Sequence, residues 1–258
     1  MMARPTSSRC MGAMLLAWAL SVGTAPAAIP EDGIVFIPTA KEAELYRLVR
    51  VHPDQQRVQV VLDPRLCLAA RKHATDTQRR RFFNHINPDG VNANQRALNE
   101  GYPLPSHYTP ALNYIESMAG SVADTPADAV TSWRGSPPHA THVFGQVEFY
   151  RGQVVLGVGH APASGLGYAT YVFLSAPLPV GEQGPPLKTP APLLEKSTTS
   201  QLFLTGLPPN AILEVWKSGP TLTSWTLDRA TVVGASGQLA VGSVSGRAGF
   251  FRLGYYRP

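Results

Sequence analysis

The sequence predicts an α+β protein in which a mixed helical and stranded part is followed by a small all-β part. Between residues 40 and 145, apolar residues recur with helical spacing and are bounded by helix-capping residues. From residue 146 onward, apolar residues alternate in short runs that glycine and proline interrupt, as in strands. The stretch 176–192 is rich in proline and has no periodic pattern, which indicates a linker between the two parts.

Five helices are expected before residue 146, each from its own start or stop signal. They are 39–51, a segment from Asp63-Pro64 towards Phe82, 91–100 ended by Gly101, a segment opened by Thr125-Pro126-Ala127-Asp128, and a short segment after Ser136-Pro137. Strands are expected at 146–151, 154–160 and 168–175. Beyond the linker, alternation predicts strands at 201–204, 211–217, 224–233, 238–244 and 249–256, hence a small β-sandwich or barrel.

The first 27 residues have the pattern of a secretory signal peptide. Arg4 and Arg9 precede an apolar run over 11–22, and Ala25-Pro26-Ala27 follows as a cleavage site. This run is too short for a membrane-spanning helix, which needs about 20 apolar residues. We therefore expect a secreted or periplasmic protein without a transmembrane segment.

The expected domain boundaries follow from these patterns. The signal peptide occupies 1–27, the mixed domain 38–178, the linker 179–197 and the all-β domain 198–258.

Charge and cysteine content narrow the class of protein further. The formal net charge is +5, and loss of Arg4 and Arg9 with the signal peptide would lower it to +3. Arg79-Arg80-Arg81 is the one dense basic run in the sequence, and it is best explained as the solvent-exposed end of a helix. A nucleic-acid partner is therefore not expected. Cys10 lies in the signal peptide, which leaves Cys67 alone and excludes an intramolecular disulfide; Cys67 reads as a small buried apolar residue.

Three short motifs carry the functional signal. They are Phe82-Phe83-Asn84-His85-Ile86-Asn87-Pro88-Asp89-Gly90, Ile115-Glu116-Ser117-Met118-Ala119-Gly120, and Trp133-Arg134-Gly135-Ser136-Pro137-Pro138-His139. In order and spacing they resemble the CAP superfamily, which includes cysteine-rich secretory proteins, venom allergens and plant pathogenesis-related proteins. The chain looks most like the short, disulfide-free bacterial branch.

The resemblance implies a three-layer α-β-α sandwich in which His85, Glu116 and His139 converge on one cleft. Imidazole is the commonest metal ligand and titrates near neutral pH, so such a cleft suits metal binding or proton transfer. Several positions depart from the family pattern: Ile115 and Ser117 flank Glu116 in place of glycine and asparagine, and Ala140 and His142 replace arginine and asparagine. At Ser136, many eukaryotic members have a second glutamate, so a four-ligand metal site would be incomplete here.

Each candidate residue also has a purely structural interpretation. Asn87-Pro88-Asp89-Gly90 is a turn signal by itself, and Ser136 is better explained as a helix N-cap than as a nucleophile. His73 falls on the buried face of its helix and reads as a core histidine. His142, one helical turn after His139, and His160, on a strand, are accessory candidates for the cleft.

Three functions are compatible with these motifs. The first is a secreted binding module whose cleft holds zinc or another divalent cation, through His85, His139 and Glu116, and an extracellular peptide, glycan or lipid. The second is a metal-assisted hydrolase using the same cleft, with Glu116 or Ser136 as the catalytic candidate. The third is an envelope-associated adhesion protein in which the all-β domain recognises the partner through exposed aromatic residues. We favour binding over catalysis, because the departures around Glu116 and Ser136 leave an incomplete ligand set.

Overall fold

Residues 14–16, 33–179, 193–196, 201–207, 209–218, 225–243 and 250–255 are described by the structure, which is a computed structural model. The helices in these residues are α1 Ala40–Arg50, α2 Pro64–Arg80, α3 Ala93–Asn99, α4 Pro126–Arg134, α5 Pro137–Val143 and α6 Glu148–Arg151. The strands are β1 Met14–Leu16, β2 Ile34–Phe36, β3 Val61–Leu62, β4 Glu116–Ser121, β5 Val155–Ala161, β6 Ala169–Ala176, β7 Leu193–Lys196, β8 Gln201–Thr205, β9 Ile212–Ser218, β10 Trp225–Val232, β11 Leu239–Ser243 and β12 Phe250–Tyr255.

A four-stranded sheet in the order β3-β5-β6-β4 forms the middle layer of the first part. β3 runs parallel to β5, and the other neighbours are antiparallel. Side chains of β6 alternate between two cores: Tyr171 and Phe173 pack with α1, α4 and α5, whereas Val172 and Leu174 pack with α2 and α3. Because both faces of the sheet are covered by helices, all eight residues of β6 are buried. The predicted α+β class and the three-layer α-β-α sandwich are therefore confirmed.

Two glycines of β5 allow α2 to lie unusually close to the sheet. A Cβ atom at Gly157 would come within 2.6 Å of the Leu66 backbone, and one at Gly159 within 2.2 Å of the Ala70 carbonyl carbon. Backbone atoms of a helix cannot move aside as the end of a flexible side chain can. The Gly-Val-Gly run therefore sets the distance between α2 and β5.

The helix predictions are confirmed, and one strand prediction is wrong. Thr39, Asp63 and Thr125 each accept a hydrogen bond from the first turn of the helix that follows. Residues 146–151 were expected to form a strand but contain the one-turn helix α6, in which the Arg151 N–H donates to the Val147 carbonyl at 2.8 Å. The alternation of Val147 and Phe149 does not mark a buried face, because both side chains are exposed.

The second part consists of two antiparallel sheets with the orders β1-β12-β9-β10-β2 and β11-β8-β7. The five strands predicted after the linker are confirmed as β8 to β12, and β7 adds a strand before the expected start at residue 198. β2 lies before α1 in the chain, yet it pairs with β10 in the register Phe36↔Ala230. β1 lies within the expected signal peptide and pairs with β12. The signal peptide and the domain boundaries stay predictions.

A buried glutamate of β9 connects the second part to the first. The Glu214 carboxylate accepts hydrogen bonds from the Tyr46 hydroxyl, from the Leu62 N–H at 2.9 Å and from the Trp216 indole at 2.9 Å, and it lies 3.9 Å from the Arg50 guanidinium. Trp216 also packs in the same apolar core as Tyr46. The two parts thus share both a core and a buried polar network.

No helix among the described residues is long and apolar enough to cross a membrane. Cys67, on α2, is buried and free, as the sequence predicted.

We expect Glu214→Ala to lower the free energy of unfolding by about 3 kcal/mol or more, because removing one member of a buried charged network leaves its partners unsatisfied. Urea titration followed by circular dichroism measures this change. Glu44→Ala is the matched control: the Glu44 side chain is 43% exposed and forms an ion pair with Arg47 on the surface of α1, so the expected loss is below about 1 kcal/mol. Equal losses in the two variants would contradict the role given to Glu214.

We expect Gly159→Ala to destabilise the protein by about 2 kcal/mol, since the added methyl group would collide with the backbone of α2. Thermal unfolding compared with Gly135→Ala measures the effect. Gly135 has right-handed helical dihedral angles, and its Cβ would meet nothing closer than 3.5 Å, so alanine should be tolerated there. A Gly159→Ala protein as stable as the wild type would show that α2 can move away from the sheet.

Candidate functional site

The loop between α2 and α3 presents His85 on a turn built by Asn87. The Asn87 side-chain oxygen accepts hydrogen bonds from the N–H groups of Asp89 at 3.1 Å and Val91 at 2.8 Å. Gly90 closes the turn with a φ of +76°, a conformation that favours glycine. The predicted turn is therefore present, and it lies directly after His85 in the chain.

Glu116, the first residue of β4, is a fully buried carboxylate at the centre of a charged group. Its Oε1 lies 2.9 Å from Nδ1 of His85, and its Oε2 accepts a hydrogen bond from the Arg96 guanidinium at 2.6 Å. His73 on α2 lies behind it, with Nε2 at 3.7 Å from the same Oε1. Asn113 fixes the backbone of Glu116 by accepting from its N–H at 2.9 Å.

The charge of Glu116 is maintained despite its burial. Burial alone would raise the pKa of Glu116, but the positive charge of Arg96, the hydrogen bond from His85 and the proximity of His73 outweigh it and lower that pKa to about 2. An ionised carboxylate only accepts hydrogen bonds, so Nδ1 of His85 must carry the proton that is shared with it. In the neutral ring, Nε2 of His85 then holds the free lone pair.

Arg96 also organises the loop that carries His85. Its guanidinium donates to the backbone carbonyls of His85 and Val91, both at 2.8 Å, while its other nitrogen binds Glu116. Sequence reasoning did not select Arg96. One signal could have identified it: Arg96 follows Ala93 by about one helical turn and so lies on the same, buried face of α3. A buried arginine requires a carboxylate or several carbonyl groups as partners.

His139 lies in the first turn of α5 and is half-buried. Burial, followed by the nearby charge of His85, lowers the pKa of His139 below its ordinary value. Both effects favour the neutral imidazole, which is the form that binds a metal ion. His85 thus bonds Glu116 and lies close enough to His139 to influence its pKa. We refer to these three residues as the His-Glu-His cleft, after the cleft that the family resemblance implies.

His142 lies inside the protein and anchors α5. Its Nδ1 is 2.7 Å from the Ser117 hydroxyl on β4, and its Nε2 is 2.9 Å from the Ser175 hydroxyl on β6. Both ring nitrogens are therefore used, which leaves none for an accessory ligand. Because His142 follows His139 by one helical turn, it fixes the helix that presents His139.

A buried arginine completes this anchor. The Arg57 guanidinium donates to the carbonyls of His142 at 2.7 Å and Val143 at 2.8 Å, at the end of α5, and to that of Tyr150 at 3.0 Å. Burial lowers the pKa of Arg57 to about 9. Sequence reasoning missed Arg57 because it lies in an irregular segment between α1 and β3, without a periodic pattern.

The two remaining candidates have other partners. His160 on β5 binds Asp124, with 2.7 Å between Nε2 and Oδ1, and Asp124 also accepts a hydrogen bond from the Tyr171 hydroxyl. None of these groups belongs to the His-Glu-His cleft. Ser136 is the N-cap residue of α5, as predicted, although its hydroxyl makes no capping hydrogen bond.

Of the three residues of the His-Glu-His cleft, His85 and His139 are the two with an imidazole nitrogen to offer to a metal ion. Within the described ranges, no group of three or more histidine, cysteine, aspartate and glutamate residues is arranged to hold a metal ion. Glu116 uses one oxygen for His85 and the other for Arg96. It therefore holds the His85 ring in one orientation, as carboxylates do for the histidines of known metal sites.

Comparison with known proteins agrees with this architecture. The model of the cysteine-rich secretory protein family, CAP, matches residues 46–173. No curated protein matches the chain.

Two solved structures resemble the chain at low sequence identity. An extracellular protein of Bacillus anthracis that contains an SCP domain is 15% identical, with a TM-score of 0.40, over 52% of this chain and 40% of that protein. An outer surface protein of Borrelia burgdorferi is 18% identical, with a TM-score of 0.40, over 55% of this chain and 97% of that protein. The aligned region thus spans less than half of the Bacillus protein.

The family match covers α2, β4, α5 and the loop between α2 and α3, and so includes all three residues of the His-Glu-His cleft. It also covers the four-stranded sheet except for the last three residues of β6. Residues 46–173 of the chain therefore form a CAP domain.

Proposed function

We propose that this chain is an extracytoplasmic CAP protein that acts as a binding module through the His-Glu-His cleft. The observation that carries the proposal is the buried Glu116 carboxylate, which holds the Nδ1 proton of His85 and so presents the Nε2 lone pair of that ring. His139 supplies a second neutral imidazole nearby. The signal-peptide pattern over 1–27 supports a location outside the cytoplasm.

The ligand that suits two neutral imidazoles is a divalent cation, with zinc as the first choice. His85 and His139 would hold the ion, and Glu116 would orient His85 from behind. When bound, such an ion would add positive charge and open coordination positions for an oxygen atom of an extracellular peptide, glycan or lipid. Arg96 would keep Glu116 ionised and the His85 loop in place.

The same geometry argues against the hydrolase alternative. A general base works best when its pKa lies near the operating pH, whereas the pKa of Glu116 is lowered to about 2. Both of its oxygens already have partners, so neither is available to accept a proton from water. Ser136 has no hydrogen bond to a histidine among the described contacts.

The adhesion alternative depended on exposed aromatic residues of the all-β part. Trp216 is buried against the CAP domain, and Trp225 packs half-buried on the same core. The side chains of Tyr255 and Tyr256 lie outside the described residues. None of these observations favours adhesion through the all-β part over ligand binding at the His-Glu-His cleft.

Calorimetric titration of zinc into metal-free protein tests the proposal. We expect one site, lost in His85→Ala and in His139→Ala and weakened about tenfold or more in Glu116→Gln, because a group that hydrogen-bonds a metal-binding histidine typically contributes about 10- to 100-fold to metal affinity. Binding should weaken as pH falls, because protonated imidazole does not bind a metal ion. The lowered pKa of His139 keeps that ring available to a lower pH than a free imidazole would be.

His107→Ala is the matched control for this titration. His107 is exposed and its ring lies at a tilted angle beside Tyr108, with ring centroids 4.8 Å apart, and it takes no part in the hydrogen bonds described for the cleft. Its removal should leave zinc affinity unchanged. Zinc affinity that is unaffected in both His85→Ala and His139→Ala would overturn the metal site.

The charge of Glu116 should also contribute to stability in a pH-dependent way. Its pKa falls from an ordinary 4.5 to about 2 on folding, which corresponds to about 3 kcal/mol. This stabilisation is complete above about pH 4.5 and is lost as pH falls through 2. The difference in unfolding free energy between the wild type and Glu116→Gln should therefore be largest near neutral pH and shrink towards pH 2.

Denaturant titrations at a series of pH values measure this difference. Glu148→Gln serves as the control, since Glu148 is exposed on α6 and should change stability by less than about 0.5 kcal/mol at any pH. A difference for Glu116→Gln that stays constant from pH 7 to pH 2 would show that the carboxylate is not held ionised in the folded protein.

A further inference from the structure

β4 is an edge strand of the CAP-domain sheet, and its outer side is open. In the order β3-β5-β6-β4, β6 is the one neighbour that β4 has among the described residues. The opposite edge differs, because the Leu62 N–H of β3 donates to the Glu214 carboxylate at 2.9 Å. An edge strand presents a row of backbone N–H and C=O groups to any chain that approaches it. β4 is therefore the edge of this sheet at which a further strand can be added.

The pairing of β4 with β6 determines which backbone groups point outward. The Ser175 N–H donates to the Ile115 carbonyl at 2.9 Å, so Ile115, the residue before β4, faces β6. Groups that face the neighbouring strand alternate with groups that face away from it along an antiparallel strand. Positions 117, 119 and 121 therefore bond to β6, whereas Glu116, Met118 and Gly120 direct their N–H and C=O groups away from it.

Asn113 occupies the outward groups of Glu116 but not those of the residues that follow. Its side chain accepts from the Glu116 N–H at 2.9 Å and donates to the Glu116 carbonyl at 3.2 Å. In the part of the chain that the structure describes, no group bonds to the outward N–H and C=O groups of Met118 or Gly120. Backbone groups are nearly always hydrogen-bonded to protein, water or a ligand. These groups therefore need partners from outside the chain.

The open edge begins at the His-Glu-His cleft and ends beside an aromatic pair. At its first residue, Oε1 of Glu116 lies 2.9 Å from Nδ1 of His85. At its far end, a Cβ atom at Gly120 would come within 2.7 Å of the Tyr168 ring, which Phe83 meets edge-on with ring centroids 5.7 Å apart. Gly120 is exposed, and Phe83 is 42% exposed. The edge is thus continuous with the cleft and has an apolar ring surface beside it.

We propose that β4 binds an extended peptide segment of a partner protein as an added strand of the sheet. The peptide backbone would exchange hydrogen bonds with Met118 and Gly120, and an apolar side chain of the peptide would lie on Phe83. This inference deepens the proposed binding function and rests on it. Outward N–H and C=O groups two residues apart match a peptide backbone. A lipid chain has no such groups, and the hydroxyl groups of a glycan do not alternate as donors and acceptors in this way.

Binders selected from a library of random dodecapeptides on the full, metal-free chain test the proposal. We expect a selected peptide to slow hydrogen exchange at the amides of Met118 and Gly120, because each amide acquires an acceptor. A library that gives no binder, or binders that leave exchange at both amides unchanged, would overturn the proposal. Exchange that slows without peptide as the protein concentration rises would assign the edge to a second copy of the chain, and would also overturn it.

Methylation of the backbone nitrogens of the selected peptide separates strand addition from side-chain binding. In an added strand, alternate N–H groups of the peptide face β4 and the others face solvent. Methylation of one alternate set should weaken binding about tenfold or more, whereas methylation of the other set should change it less than about threefold. Equal effects of the two sets would contradict an added strand.

Phe83→Ala tests the aromatic surface beside the edge. Affinity for the selected peptide should fall about fivefold to tenfold, because the peptide loses an apolar contact. Phe149→Ala is the matched control: Phe149 is 44% exposed but packs against Tyr108 and Tyr114, so affinity should change less than about twofold. Equal losses in the two variants would place the peptide elsewhere and overturn the proposal.

The peptide experiments contain no zinc, and the zinc titration contains no peptide. Failure of strand addition at β4 is therefore distinguishable from failure of the metal site at His85 and His139.

Discussion

The ion pair between Glu116 and Arg96 is the interaction on which the candidate site depends. A lone carboxylate at this depth would be protonated, because burial strongly disfavours its charge. Arg96 reverses that balance and also holds the backbone of the His85 loop against α3. The Arg96 guanidinium thus keeps Glu116 ionised, fixes the shape of the loop between α2 and α3, and fixes the orientation of His85. Loss of any one of these contacts would disturb the other two.

Histidine serves three different purposes in this domain, and the difference lies in its neighbours. His85 binds a carboxylate through one nitrogen and keeps the other available. His142 bridges two serine hydroxyls and locks α5 between β4 and β6. His160 binds Asp124 through a ring nitrogen. The same side chain is therefore a ligand candidate, a structural anchor or a partner of a carboxylate, according to its partners and its exposure. The His85 side chain is 37% exposed, whereas that of His160 is 8% exposed and His142 is buried.

The sequence predicted the helices and most strands because their signals are local: caps, apolar periodicity and turn residues lie within a few positions of one another. It predicted a strand where α6 forms, because alternation over six residues does not reveal that Val147 and Phe149 face solvent. The candidate site was found through motif order, yet Arg96 and Arg57 were missed. Their roles depend on contacts across 20 and more than 80 residues of chain, which no local pattern records.

The carboxylate of Glu214 has a consequence for the order in which this chain acquires its structure. Leu62 and its acceptor are 152 residues apart, and Tyr46 and the same acceptor are 168 residues apart. Contacts this distant form late, since a long loop must close before they can contribute. During synthesis, β3 and α1 are complete long before β9 exists. The contacts of Tyr46 and Leu62 with Glu214 are therefore completed only after β9 has been made, so the final packing of the CAP domain depends on a segment outside the family match.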